Sequence, residues 1–206
     1  MGVSTALFDL DGTLVDTEAR NMAMWRRLLD NHGIDADVRI FMGRRGRDVL
    51  PVLFPDRDLA DLAEEVWSYE RLPDLPGIAP VPGGAALVRE AAAAGAPLGL
   101  VTSAQRPWAV RHLDYLDIRG LFQVLVTAED VEHGKPDPEG YLRAARLLEA
   151  DPATCVVFED TPAGIAAAKA AGMRCVGVAT THAASELGQA DLVVPDLTAV
   201  AWPPSL

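Results

Sequence analysis

The sequence is poor in cysteine, in basic residues and in long apolar runs. Cys155 and Cys175 are the only cysteines among 206 residues. Both lie in apolar runs, so they read as core thiols of a reducing cytoplasm rather than as a disulfide framework. Lys and Arg total 18 against 30 Asp and Glu, a net charge of −12. Chains that bind nucleic acid are ordinarily basic, so no nucleic-acid partner is expected. No stretch reaches the ~18–20 uninterrupted apolar residues that cross a bilayer, so no membrane partner is expected either. The N-terminus enters a strand almost at once, leaving no room for a signal peptide, and a cytoplasmic location is the expectation. No internal repeat is visible, and the alanine clusters are simply good helix formers. What is there is an ordinary globular composition, 50% apolar and 23% charged, at a length that allows one large domain or a core with a small appendage. A monomer is expected.

The chain is organised around TALFDLDGTLVD, residues 5–16. A short apolar run, Ala6 to Phe8, is followed by Asp9 and Asp11 and then by the turn residues Gly12 and Thr13. Such a run reads as a buried strand. Continued as a strand, it would point both aspartates to one side. Two carboxylates held that close repel each other unless a cation or a proton intervenes. A divalent metal is the simplest such cation, and an all-oxygen ligand set favours Mg²⁺.

Residues 17–32 read as a helix in which Met22, Trp25, Leu28 and Leu29 share a face, with Thr17 as its cap and Gly33 as its stop. FMGRRGRDVL, residues 41–50, carries Arg44, Arg45 and Arg47. Leu59, Leu62, Ala63 and Val66 mark a second helix. No strand signal is visible between Asp16 and about Pro80, and the proline- and glycine-rich segment 73–84 reads as a linker. From there strands and helices alternate. Strand-like runs are Pro97–Val101, Val124–Val126, Cys155–Phe158, Cys175–Val178 and Leu192–Val194; helices are Ala85–Ala94, Trp108–Leu116, one starting at Asp137–Pro138, and Pro162–Ala171. This alternation predicts an α/β fold with a parallel, Rossmann-like sheet covered by helices on both faces. Ligands in such sheets sit beyond the carboxyl ends of the strands. Asp9 and Asp11, Thr102 and Ser103, and Glu159 and Asp160 all fall just after predicted strands, and Lys135 falls just before a predicted helix.

D-L-D-G-T-L, then T-S, then G-K-P-D-P, then F-E-D-T-P-A-G, in that order, resemble the four motifs of the haloacid dehalogenase-like hydrolases over nearly the whole chain. The likeness is nearest to the sugar-phosphatase group, including the 2-deoxyglucose-6-phosphate and glycerol-phosphate phosphatases. The resemblance implies a catalytic core of residues 1–16 and 81–206, and a small α-helical cap, with its linker, inserted after the first strand as residues 17–80. It implies Asp9 as the nucleophile and Asp11 as the general acid/base, with the Asp11 carbonyl also on the metal. Asp160 would be the second protein ligand, and Glu159 a direct or supporting one. Thr102 and Ser103 would hold phosphate oxygens, and Lys135 would supply a positive charge to the phosphate and to Asp9. Arg44 and Arg45 would donate to substrate hydroxyls or to a second phosphate. Arg47 stands where an aliphatic residue is expected and is left out of the site.

The implied activity is Mg²⁺-dependent hydrolysis of small phosphomonoesters, most of all sugar or polyol phosphates, through an aspartyl-phosphate. The alternatives are a β-phosphoglucomutase-like hexose-phosphate mutase, a phosphoglycolate phosphatase and a non-catalytic phosphosugar-binding protein. Mutases of this kind place a histidine in the first cap helix near position 21. Here that position is Asn21, and no histidine occurs before His32. The dehalogenase branch lacks the second aspartate, which this chain has as Asp11. A binding protein would have lost Asp9 or Asp160, and both are present.

Overall fold

The computed structural model describes residues 4–206. The first strand, β1 (Thr5–Phe8), leads into a tight turn and a short strand β2 (Val15–Asp16). Three helices follow: α1 (Glu18–Asn31), α2 (Gly46–Leu53) and α3 (Leu59–Tyr69). The chain returns through β3 (Ala79–Pro80) and then alternates: α4 (Gly84–Ala93), β4 (Leu98–Val101), α5 (Arg106–Tyr115), β5 (Val124–Val126), α6 (Glu139–Leu147), β6 (Cys155–Glu159), α7 (Pro162–Ala170), β7 (Arg174–Val178) and β8 (Leu192–Val194).

Six strands form one parallel sheet in the order β5-β4-β1-β6-β7-β8. β1 therefore sits between β4 and β6, where the strand order reverses. Its carboxyl end opens into the crevice that such a reversal creates. Side-chain alternation divides the core. Ala6 and Phe8 pack on one face with Leu87, Val88 and Leu113 from α4 and α5; Leu7 packs on the other with Tyr141, Ala144 and Ile165 from α6 and α7. Both faces are covered, so the strands are apolar throughout, as a parallel sheet requires. Phe8 stacks on Phe158 with ring centroids 4.6 Å apart, and both are fully buried. Each such ring contributes about 1.5–3 kcal/mol by leaving water.

The helices between β2 and β3 have an apolar cluster of their own, built on Leu28, Leu29, Phe41, Val49, Leu50 and Leu62. The expected stripe on α1 divides: Leu28 and Leu29 enter this cluster, while Met22 and Trp25 are half-buried. Three details differ from the sequence reading. α2 forms within 41–53 although Pro51 lies inside it, because Val49 and Leu50 bury its apolar side. β2 and β3 pair antiparallel, Val15 with Pro80 and Asp16 with Ala79, in a stretch that carries no strand signal. Pro80 is tolerated because β3 is an exposed strand of only two residues. Thr17 occupies the cap position of α1 but makes no capping bond; its hydroxyl goes to Asp11. Among the described residues, no helix is long and apolar enough to cross a membrane.

Candidate active site

The strand β1 ends at Phe8, and Asp9 is its first residue beyond the ladder, tied to β6 by its N–H on the Phe158 carbonyl at 3.0 Å. The chain then turns instead of continuing extended. Leu14 and Val15 both donate back to the Leu10 carbonyl, at 2.8 and 3.1 Å. Gly12 makes this turn possible in two ways. Its φ is +80°, and a Cβ there would collide with the Asp160 carboxylate. The turn, not strand alternation, is what brings Asp11 to the same cavity as Asp9.

Asp9, Glu159 and Asp160 are all buried, and one oxygen from each lies within 4.8 Å of the others. Lys135 Nζ donates to Asp9 Oδ1 at 2.6 Å and also to Glu159 Oε1. Burial works against the Lys135 charge, but the attraction of Asp9 and Glu159 outweighs it and raises its pKa. Lys135 is therefore a fixed ammonium. One ammonium does not balance three buried carboxylates. Burial, with Glu159 and Asp11 nearby, pushes Asp9 up to about 8 despite Lys135, and burial beside Glu159 and Asp9 holds Asp160 well above the usual carboxylate range. A divalent cation among these oxygens reverses that preference. An all-oxygen, anionic donor set with surplus negative charge thus suits a hard divalent ion.

Of the two roles expected of Glu159, direct ligand or support, its hydrogen bonds fit support. Its Oε1 accepts from Lys135 and from the Tyr141 hydroxyl at 2.9 Å; its Oε2 accepts from the N–H groups of Asp160 and Thr161 and from the Thr161 hydroxyl. A carboxylate has about four lone-pair sites, so those oxygens are spent. Glu159 is instead the anchor that holds Lys135 and closes the β6–α7 turn. Gly164 is required beside it, because a Cβ there would overlap the Glu159 carboxylate. Thr161 caps α7 by accepting from Gly164 N at 3.1 Å.

Asp11 Oδ1 accepts from Thr17 Oγ1 at 2.6 Å and from Trp108 Nε1 at 3.0 Å. Asp160 Oδ1 accepts from the Thr13 hydroxyl at 3.3 Å. Thr102 lies at the end of β4, where its Oγ1 accepts from Ala104 N at 3.0 Å, so its hydroxyl hydrogen points elsewhere. Ser103 donates through its hydroxyl to the Gly43 carbonyl at 3.0 Å, a contact from the sheet to the helical insert. Asp9, Asp11, Asp160, Thr102, Ser103, Arg44 and Arg45 line one cavity of about 260 Å³, with Lys135 and Glu159 behind Asp9. The insert roofs it with Met22, Trp25, Phe41, Val66 and Trp67.

The two arginines part company. Arg44 is exposed at the cavity edge. Arg45 is only 3% exposed, and its guanidinium is committed elsewhere. Nε and Nη2 grip Asp48 at 2.7 and 2.8 Å, while Nη1 and Nη2 donate to the Val131 and Glu132 carbonyls, both at 2.8 Å. Arg47, left out of the site by the sequence reading, reaches the same two carbonyls at 2.8 and 2.9 Å. Arg45 is thus a latch from the insert to the loop before Lys135, not a free donor for substrate. Sequence reasoning also missed Trp108 and Tyr141. For Tyr141 a signal existed: a tyrosine on the apolar face of a helix buries a hydroxyl that needs a partner. Trp108 gave none.

Comparison with known proteins agrees with this geometry. Residues 6–178 match the family described as haloacid dehalogenase-like hydrolase. A validoxylamine A 7′-phosphate phosphatase from Streptomyces hygroscopicus subsp. limoneus is 44% identical over 96% of both chains. Hexitol phosphatase A from Escherichia coli is 37% identical over 93% of this chain and 90% of its own. Among solved structures, a β-phosphoglucomutase from Clostridium difficile superposes with a TM-score of 0.81 at 26% identity, covering 98% of this chain and 94% of that one. With the family match spanning residues 6–178 and the relatives of 44% and 37% identity both phosphatases, the chain belongs to the haloacid dehalogenase-like hydrolases, as a phosphoric monoester hydrolase.

Proposed function

We propose that this protein is a Mg²⁺-dependent phosphatase of sugar or polyol phosphates that works through an acyl phosphate on Asp9. One observation carries the reading: Asp9 lies on the floor of a roofed cavity with Lys135 bound to one of its oxygens, and Asp11, held by two donors, lines the same cavity. Lys135 fixes the Asp9 carboxylate through Oδ1 and leaves Oδ2 to attack phosphorus. Asp11 gives a proton to the leaving oxygen and takes one from the water that later cleaves the acyl phosphate. Thr102 Oγ1 and the Ser103 N–H hold the phosphoryl oxygens. Asp9, Asp160 and the Asp11 carbonyl would hold Mg²⁺, which when bound screens the charge of the transferring group.

Residues 17–80 act as the cap and 1–16 with 81–206 as the core; the β2–β3 ribbon is the pair of strands through which the chain enters and leaves the cap. Closing it excludes water and strengthens the electrostatics within. Hydrolysis is favoured over the mutase reading by Asn21, which lines the cavity and donates to Thr17 Oγ1 at 3.3 Å. An amide has no titratable proton to relay between sugar hydroxyls. The named substrates of the relatives, a validoxylamine phosphate and hexitol phosphates, support a polyhydroxylated leaving group. Release of phosphate from p-nitrophenyl phosphate and from a panel of sugar and polyol phosphates, with and without Mg²⁺, tests the reading. Conversion of a hexose 1-phosphate to its 6-phosphate without phosphate release would overturn it.

A further inference from the structure

We infer that Thr180 and Thr181, which lie outside the four motifs, are positioning residues for the divalent ion: Thr180 holds the turn that carries Asp11, and Thr181 holds the Asp160 carboxylate. This rests on the metal site of the reading above. Both threonines stand on the loop that follows β7. Ala179 N donates to the Val194 carbonyl at 2.8 Å and Thr180 N to the Val178 carbonyl at 2.9 Å, so the loop is tied to the ends of β7 and β8 as it leaves the sheet. The Thr180 hydroxyl donates to the Gly12 carbonyl, 168 positions away. A nearer partner in sequence, the Val178 carbonyl, lies at 3.5 Å. A hydroxyl has one hydrogen to give, and here it goes to the distant acceptor. The bond pins the β1–β2 turn one residue beyond Asp11.

Thr181 lines the cavity, and Gly12 shows where its hydroxyl lies. A Cβ on Gly12 would stand 2.4 Å from Thr181 Oγ1 and 2.0 Å from Asp160 Oδ2, so the hydroxyl and the carboxylate oxygen flank one small space. A hydrogen bond from Thr181 favours the charged form of Asp160, against the burial that disfavours it. The other oxygen, Oδ1, accepts from the Thr13 hydroxyl at 3.3 Å. Thr13 and Thr181 thus hold the Asp160 carboxylate from two sides. Asp11 and Asp160 follow neighbouring strands, β1 and β6, but strand pairing sets neither the turn after β1 nor the rotation of a side chain. The loop after β7 reaches both. Mg²⁺ demands near-ideal octahedral geometry at about 2.0–2.1 Å, so it tolerates little error in the placement of its ligands. Groups that orient a ligating carboxylate are ordinarily worth roughly 10- to 100-fold in metal affinity.

Thr180→Val and Thr181→Val remove each hydroxyl at nearly constant shape, while Thr180→Ser and Thr181→Ser keep it. Mg²⁺ is titrated calorimetrically into the substrate-free protein, and the melting temperature is read in EDTA and in Mg²⁺. Thr181→Val should weaken Mg²⁺ binding roughly 10- to 100-fold. Thr180→Val loses a bond to a neutral carbonyl and should weaken it less, roughly two- to tenfold. Both serine variants should restore most of the affinity. Melting of the valine variants should fall less in EDTA than in Mg²⁺, because the rise that the ion gives shrinks. An unchanged Mg²⁺ affinity in either valine variant overturns the inference. So does a serine variant that restores nothing, or melting that falls as far in EDTA as in Mg²⁺, since the threonines would then only support the fold. If the wild type binds Mg²⁺ and the valine variants bind it equally well, only this inference falls; if the wild type binds none, the metal reading falls and takes this one with it.

Discussion

Trp108 Nε1 donates to Asp11 Oδ1 at 3.0 Å across 97 positions of sequence. The bond ties α5, at the end of β4, to the turn that follows β1. With the Thr17 hydroxyl at 2.6 Å on the same oxygen, it holds Asp11 through Oδ1, so that Oδ2 is the oxygen the proposed mechanism would use. Trp108→Phe removes one of the two donors and keeps the ring. A hydrogen bond to a charged group is worth about 1.5–3 kcal/mol, and Thr17 remains, so kcat for sugar phosphates should fall roughly tenfold. The loss should be smaller for p-nitrophenyl phosphate, whose leaving group scarcely needs a proton. Steady-state kinetics on both substrates provide the check. Equal losses on the two would assign Trp108 to packing alone.

Asp9→Asn should abolish turnover and leave the fold unchanged, because the amide is nearly isosteric but a poor nucleophile. It should also free Lys135 from one of its two carboxylates, since Asp9 Oδ1 lies 2.6 Å from Nζ. Acid quenching of the wild type during turnover should trap phosphate on Asp9. Label recovered only on a serine or histidine would reject the assignment.

EDTA should remove activity and Mg²⁺ restore it. Ca²⁺ should bind but support little turnover, because its looser and longer coordination spoils in-line attack. The chain's surplus of buried negative charge at Asp9 and Asp160 also predicts that the divalent ion raises thermal stability, by binding the native state alone. Full activity in chelator would sink the metal-dependent mechanism.

Arg44 and Arg45 should behave differently although they are adjacent. Arg44→Ala should lower kcat/KM for sugar phosphates more than for p-nitrophenyl phosphate, by roughly one to two decades in their ratio if it donates to the substrate. Arg45→Ala breaks the grip on Val131, Glu132 and Asp48 and leaves that ratio alone. It should raise KM for every substrate and expose the insert to limited trypsin cleavage. Identical ratios in both variants would mean that neither side chain reads the leaving group.

The buried thiols make stability depend on alkaline pH. Burial, aided by Asp151, pushes Cys155 up to about 11, and burial beside Glu159 and Asp191 raises Cys175 further. In the unfolded chain a thiol loses its proton near pH 8.5. Above that pH the unfolded state holds fewer protons than the native one, so stability falls as pH rises. The contribution is complete below about pH 8.5 and is lost progressively through pH 11, the folded value of Cys155. Urea midpoints between pH 7 and pH 10 should therefore decline at the upper end, and replacing both cysteines by alanine should flatten that decline. A midpoint that rises with pH in this range would contradict the assignment.

The positions of the cavity's acids and hydroxyls were legible in the sequence because they follow from local backbone pattern, while their expected roles came from the family resemblance. An apolar run that ends in acids or hydroxyls marks the carboxyl end of a buried strand, and this placed Asp9, Thr102 and Asp160 without knowledge of which strands pair. The order of strands and helices fixed a parallel sheet for the same reason. α2 was not legible, since Pro51 disguises a short amphipathic turn, and neither was the two-residue ribbon of β2 and β3, which is shorter than any periodicity can register.

The roles of the supporting residues were decided only by tertiary structure. Arg44 and Arg45 are adjacent in sequence, yet one is exposed at the cavity edge and the other is buried against the Val131 and Glu132 carbonyls. Glu159 and Asp160 are adjacent too. One is saturated by donors from Lys135, Tyr141 and the β6–α7 turn, while the other lines the cavity. Sequence states which polar groups a chain possesses. Which of them keep a lone pair or a proton for a ligand depends in good part on distant partners, such as Asp9 for Lys135, 126 positions away, and Tyr141 for Glu159, 18 positions away, and those meet only when the sheet is packed.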